Sequence, residues 1–91
     1  MKNINETLGQ RGEVYGEFKD NAVIAQELKS VIYEWDQGLS LSQREALEVI
    51  MQKISRILTG DADYQDNWHD IAGYATLIER ELHSSRTGEG I

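Results

Sequence analysis

Glu45 and Glu48 stand three residues apart, Asp66 and Asp70 four apart, and Lys53 and Arg56 lie between the two pairs. On a helix, spacings of three and four put each pair on one face. Carboxylates from two helices can converge on one divalent ion. Mg²⁺ takes hard oxygen ligands in an octahedron and keeps several waters, so three or four carboxylates suffice. Lys53 and Arg56, a turn or two away, suit phosphate oxygens, the guanidinium as a planar fork and the ammonium as a point charge. The set points to metal-assisted phosphate chemistry.

Each residue also has a structural use. Glu45 fills the third position of the capping box Ser42-Gln43-Arg44-Glu45, although Ser40, three before Gln43, is a competing cap. Glu48 can pair with Arg44 one turn earlier, and Asp66 suits the positive end of a helix. Asp70 lies deeper in its helix, where Asp is a mediocre helix former. Gly73 in mid-helix costs about 1 kcal/mol relative to Ala, which suggests close approach of another helix or of a ligand. His69 and His83 fall on the flanks of that helix and read as surface or rim residues. No Ser-His-Asp or Cys-His arrangement can be assembled, and no phosphate-cradling glycine loop is present.

Three long amphipathic segments position these residues. The first runs from about Phe18 to Trp35, with Phe18, Ala22, Ala25, Leu28, Ile32 and Trp35 recurring at helical spacing, and Gly38 ends the region. The second starts at the capping signal and carries Leu47, Ile50, Met51, Ile54, Ile57 and Leu58 on its apolar side before Gly60 stops it. The third begins among Asp61, Asp63 and Asp66 and runs to about His83, with Trp68, Ile71, Ala75, Ile78 and Leu82 facing a core. Trp35 and Trp68 read as core or interface anchors. At 100° per residue, Glu45, Glu48, Gln52 and Arg56 fall opposite the apolar stripe of the second helix, flanked by Lys53. Asp66, Asp70, Gly73, Tyr74 and Leu77 form a line on the third, apart from its main stripe. A short helix, roughly Ile4 to Leu8, stopped by Gly9, precedes a glycine-punctuated loop, Arg11 to Gly16. No stretch alternates with period two. The expected fold is all-α, a helical bundle of one domain over residues 1–84, with a flexible tail over 85–91.

A chain of 91 residues with no cysteine and no proline has no disulfide and no Cys-based zinc site to supplement a small core. Three apolar stripes would close a four-helix-type core if a second chain contributed, so a homo-oligomer is expected. Nine Lys and Arg against sixteen Asp and Glu leave a formal charge of −7, which argues against direct binding to nucleic acid. No apolar run approaches the roughly 20 residues of a membrane span, and Met1 to Gln10 lacks the apolar core of a signal peptide. The cytoplasm is the expected compartment.

The spacing Glu45-x-x-Glu48 followed by Asn67-x-x-Asp70 resembles the Glu-x-x-Glu … Glu-x-x-Asp signature of the all-α nucleoside triphosphate pyrophosphohydrolases, the MazG-like and dimeric dUTPase superfamily. A longer pattern resembles a set of small phage and prophage proteins: Arg11-Gly12-x-x-Tyr15-Gly16, Glu45-Ala46-Leu47, Lys53-Ile54-x-Arg56-Ile57, and Asp66-Asn67-Trp68-x-Asp70-Ile71-Ala72-Gly73-Tyr74. That likeness covers about residues 8 to 82. It implies an all-α core that often dimerises or tetramerises, and Mg²⁺ held by Glu45, Glu48 and Asp70. It also implies hydrolysis of a nucleotide between its α- and β-phosphates, inside a host's cytoplasm if the chain is phage-encoded. Asn67 stands where the superfamily has Glu, one charge short, and Asp66 is the candidate to compensate. The function expected on this basis is Mg²⁺-dependent conversion of a (d)NTP to the monophosphate and pyrophosphate. Glu45 would act as general base, and Lys53, Arg56, Tyr74, Arg11 and Tyr15 would hold the phosphates or nucleotide. The alternative is a catalytically degenerate protein of the same fold, whose acidic surface occupies a host protein's nucleic-acid-binding site.

Overall fold

The computed structural model describes residues 3–87. They form four helices: α1 (Ile4–Tyr15), α2 (Phe18–Trp35), α3 (Leu41–Thr59) and α4 (Gln65–Thr87). The all-α expectation holds, and no strand occurs among the described residues. α1 is longer than its sequence signals suggest. Asn3 caps it by accepting from the Glu6 amide at 2.9 Å, and the helix passes through Gly9 and Gly12. Gly16, at φ +83°, is what ends it. α4 continues past His83 through residues expected in the tail; residues 88–91 lie outside the described range.

The turns are specified by side chains. Asp36 closes the α2–α3 turn by accepting from the amides of Gly38 (2.9 Å) and Leu39 (2.8 Å), and its second oxygen pairs with Arg44 at 2.7 Å. Ser40, not Ser42, caps α3. Its hydroxyl accepts from the Gln43 amide at 3.0 Å, and the Gln43 side chain accepts from the Ser40 amide at 2.9 Å. Glu45 is thereby released from the capping role and stands exposed. Gly60 ends α3, and Asp61 organises the turn into α4 by accepting from the Asp63 amide at 2.9 Å.

α2 and α4 each pack along α3 without meeting one another, so the three helices form a single layer with α3 in the middle. Ala25, Ile32 and Ala46 are the buried apolar residues among those described, and Asn21, Ser55 and Asn67 are buried beside them. The apolar stripes of α3 and α4 are not enclosed: Leu47, Ile50, Ile54 and Ile71 are half-buried, and Leu58, Trp68 and Leu82 are exposed. Phe18 and Trp35, expected in the core, are exposed too. The reason is angular. On α3, Ser55 faces α2 and Lys53 faces α4, in nearly opposite directions, while the apolar stripe points off the line that joins them. The radius of gyration, 16.0 Å, reflects this open layer; a compact domain of this length has about 12 Å.

Candidate functional site: the polar face of α3 and α4

The layer has two unlike faces. One carries the uncovered apolar stripe of α3. The other carries Glu45, Gln52 and Arg56 of α3 beside Asp66, Asp70, Gly73 and Leu77 of α4, as the 100° rotation requires. Over the end of this polar face near Gly60 sits the segment Val14-Tyr15-Gly16.

The docking of that segment explains the Tyr15-Gly16 end of the Arg-Gly-x-x-Tyr-Gly pattern; Gly12 has no neighbour that requires it. A side chain at Gly16 would place its Cβ 2.2 Å from the Thr59 carbonyl oxygen, and one at Gly60 would meet the Val14 carbonyl oxygen at 2.2 Å. Only two glycines let the backbones approach so closely. Asp61 N donates to the Val14 carbonyl at 2.8 Å, and Thr59 Oγ1 lies 2.8 Å from the Tyr15 carbonyl, which also accepts from Asn21 Nδ2 at 3.3 Å. Ser55, fully buried, donates to Asn21 Oδ1 and lies 3.1 Å from the Asn21 carbonyl. One polar chain, Ser55–Asn21–Tyr15–Thr59, therefore ties α1, α2 and α3 together.

Tyr15 is held in this way among cations. The Arg56 guanidinium lies 4.6 Å from the centre of its ring and that of Arg11 5.5 Å, while Tyr64 meets it edge-on at 5.8 Å. Such stacking is favourable by about 0.5–1 kcal/mol per pair at accessible sites and leaves guanidinium donors available. Lys53 Nζ is 2.9 Å from Asp70 Oδ2. That hydrogen bond is the main cause that holds the Asp70 carboxyl below its ordinary range, against a smaller desolvation effect; the charges of Lys53, His69 and Arg56 add to the lowering. Asp66 accepts from the Tyr64 hydroxyl at 3.1 Å, which raises the Tyr64 pKa because ionising the phenol would break the bond and set two anions together. Asn67 is 1% exposed, and its Nδ2 has no hydrogen-bond partner. A buried donor left unpaired costs about 1–3 kcal/mol, a cost that an acceptor reaching it between α3 and α4 would relieve.

The structure separates the expected metal ligands. The Lys53–Asp70 contact sets the antiparallel register of α3 and α4. Glu48 is then five residues, about 7.5 Å, and Glu45 eight residues, about 12 Å, along α3 from the level of Asp70. Glu48 accepts instead from the Tyr33 hydroxyl on α2 at 3.3 Å, and Arg44 pairs with Asp36, not with Glu48. Among the described residues, no three carboxylate, imidazole or thiol groups are placed to hold one metal ion. The four-carboxylate Mg²⁺ cluster of Glu45, Glu48, Asp66 and Asp70 is thus not assembled within one chain. What stands level with Asn67-x-x-Asp70 on α3 is Lys53 and Arg56, so two cations stand where the expectation put a second pair of carboxylates. Asp70 and Tyr74 line one shallow groove of about 490 Å³, and Arg11 and Tyr15 line another of about 570 Å³ on the α1 side. Gly73 borders the first groove, and among the described residues nothing beyond its own helical turn comes within 4 Å of a Cβ built on it. The close approach expected there is not made by this chain.

Sequence reasoning missed Ser55, Asn21 and Tyr64. Ser55 was detectable as the polar residue inside Lys53-Ile54-Ser55-Arg56-Ile57, and Tyr64 as the aromatic within an acidic turn. Asn21, near the start of an ordinary amphipathic helix, carried no signal.

A family model described as a domain of unknown function (DUF6378) matches residues 1–82. No curated protein and no solved structure matches the chain. Nothing in the family match links it to the nucleoside triphosphate pyrophosphohydrolases.

Proposed function

The chain belongs to the DUF6378 family, and we propose that it binds the phosphates of a nucleotide on the polar face of α3 and α4. The observation that carries this reading is the placement of Arg11 and Arg56 over Tyr15, with Lys53 one turn before Arg56 on Asp70 and the buried, unpartnered amide nitrogen of Asn67 across from them on α4, in a chain whose net charge is −7. Cations held together at one place in an acidic protein mark a local field of the sign a phosphate needs. Arg56 and Arg11 supply planar donor forks, Lys53 a point charge, and Tyr15 an aromatic surface already used for stacking. Asp70 keeps Lys53 in place until an incoming phosphate competes for the ammonium. Tyr74 borders the groove beside Asp70, where a base or sugar has room.

The hydrolytic expectation required Mg²⁺ on converging carboxylates, and the residues of one chain do not fit that group. No step through the metal follows from them. Binding and hydrolysis separate in one variant, Asp70→Asn. Under the binding reading, removing the carboxylate frees Lys53, and calorimetry in the absence of divalent metal shows a (d)NTP bound several-fold more tightly than by wild type. Arg56→Ala loses that binding. Release of pyrophosphate by wild type with Mg²⁺, abolished in Asp70→Asn, would overturn the reading in favour of a hydrolase. Absence of heat with every common nucleotide would reject the binding reading, and absence of pyrophosphate release with Mg²⁺ would reject the hydrolase.

A further inference from the structure

We infer that two copies of this chain pair through the apolar face of the α2–α3–α4 layer, the face opposite the phosphate site. Along α3 this face presents Leu47, Ile54 and Leu58 with no charged residue between them, and α2 and α4 extend it with Trp35 and Trp68. Trp35 is 70%, Leu58 66% and Trp68 54% exposed in the single chain. Val31, Trp35 and Leu47 line one groove on it. α1 cannot cover this surface, because Tyr15 and Gly16 are fastened to the other side through Thr59, Gly60 and Arg56.

The exposed area is sufficient for a second copy. A folded monomer of 10.4 kDa exposes about 5,400 Å², whereas this chain exposes 6989 Å². The excess, about 1,600 Å² per chain, is spread over the whole elongated molecule, and half of it on this face would match the roughly 800 Å² that each partner of a standard stable interface buries. A second copy brings a surface of the same size, flatness and apolar character. Electrostatics agree along its centre: at −7 per chain, two copies approach at least cost through the α3 stripe, which carries no charge, while Asp20 and Glu27 of α2 and Glu79 of α4 stand on the flanks of the face. Face-to-face pairing of two layers would enclose the apolar stripes and leave both phosphate sites on the outside, each built within one chain.

Sedimentation equilibrium of the full chain tests the pairing, and single cysteines test the face. The chain has no cysteine of its own, so Leu58→Cys on the apolar face and Gln52→Cys on the polar face each introduce one thiol. The expected mass is about 21 kDa, two chains of 10.4 kDa. Leu58→Cys is expected to be alkylated at least roughly tenfold more slowly than Gln52→Cys, since a thiol enclosed between chains is inaccessible to reagent. A mass near that of one chain at about 100 µM overturns the pairing. A mass of two chains with Gln52→Cys protected and Leu58→Cys open overturns the choice of face. If Leu58→Cys fails to fold, Trp35→Cys on the same face gives the same comparison.

Discussion

Replacing Gly16 by Ala asks whether the Tyr15 segment is held by backbone fit, as its geometry requires. Gly16 has φ +83° and ψ −177°, a region open essentially to glycine alone, and forcing another residue into it costs about 1–3 kcal/mol. The new Cβ would lie 2.2 Å from the Thr59 carbonyl oxygen, 2.5 Å from its carbon and 2.8 Å from Thr59 Cβ. These are backbone atoms and a branched side chain at the end of α3, which cannot swing away as a flexible tip would. The segment must instead lift off, which breaks Asp61 N to the Val14 carbonyl and Thr59 Oγ1 to the Tyr15 carbonyl. Two such bonds are worth about 0.5–1.5 kcal/mol each. The total is about 2–6 kcal/mol, a large share of the roughly 5–14 kcal/mol that a domain of 91 residues has in all. At about 4–8 °C per kcal/mol, even the lower bound moves the melting temperature down by about 8 °C. Circular dichroism melts of Gly16→Ala and of Gly12→Ala give the comparison. Gly12 is helical with nothing within 4 Å of a built Cβ, so its substitution should be neutral or slightly stabilising. If Gly16→Ala melts within about 2 °C of wild type, the close backbone docking is wrong.

Gly73→Ala should stabilise the chain by about 0.5–1 kcal/mol, because the helix gains propensity and no neighbour is displaced; a urea titration reads it, and a loss would mean that something does pack there. Ser55→Ala leaves Asn21 Oδ1 buried without its donor and should lose about 1–3 kcal/mol by the same titration; an unchanged midpoint would discount the Ser55–Asn21–Tyr15 chain. Asn67→Leu removes an unpartnered buried amide, so it should keep or raise stability while weakening nucleotide binding; a less stable variant with intact binding contradicts a ligand role for the amide. The Asp70 carboxyl has its pKa lowered by Lys53, so the pair adds stability that is present above the unfolded value of about 3.9 and is lost as pH falls through the lower folded value. The difference between wild type and Asp70→Asn should be constant from neutral pH down to about 4 and vanish below it; a difference that survives deep into acid would assign the effect to something other than this ion pair.

α2 was legible in the sequence because its apolar stripe and the punctuation on either side agree, and its observed span, Phe18–Trp35, is the expected one. α1 was not, because Gly9 and Gly12 read as breakers, whereas a firm Asn3 cap and the docking of its far end carry the helix through both. The two faces of α3 followed from 100° arithmetic alone. The register against α4 did not, since it depends on the Gly60–Tyr64 turn and on the Lys53–Asp70 contact, neither of which leaves a periodic signal. That register separates Glu45 and Glu48 from Asp70 and brings Lys53 and Arg56 level with Asn67. A spacing motif counts residues along one chain; ligands converge only when the turn between two helices has the matching length.

The phosphate site is tested most directly by titrating the ¹⁵N-labelled chain with a (d)NTP in the absence of divalent metal and following its amide spectrum. Binding at the polar face predicts saturable shifts at Lys53, Arg56 and Tyr15, with the Asn67 side-chain amide, unpartnered in the free chain, moving most as it gains an acceptor. An unchanged Asn67 side-chain signal, or shifts confined to the apolar face around Leu58 and Trp68, would contradict the account.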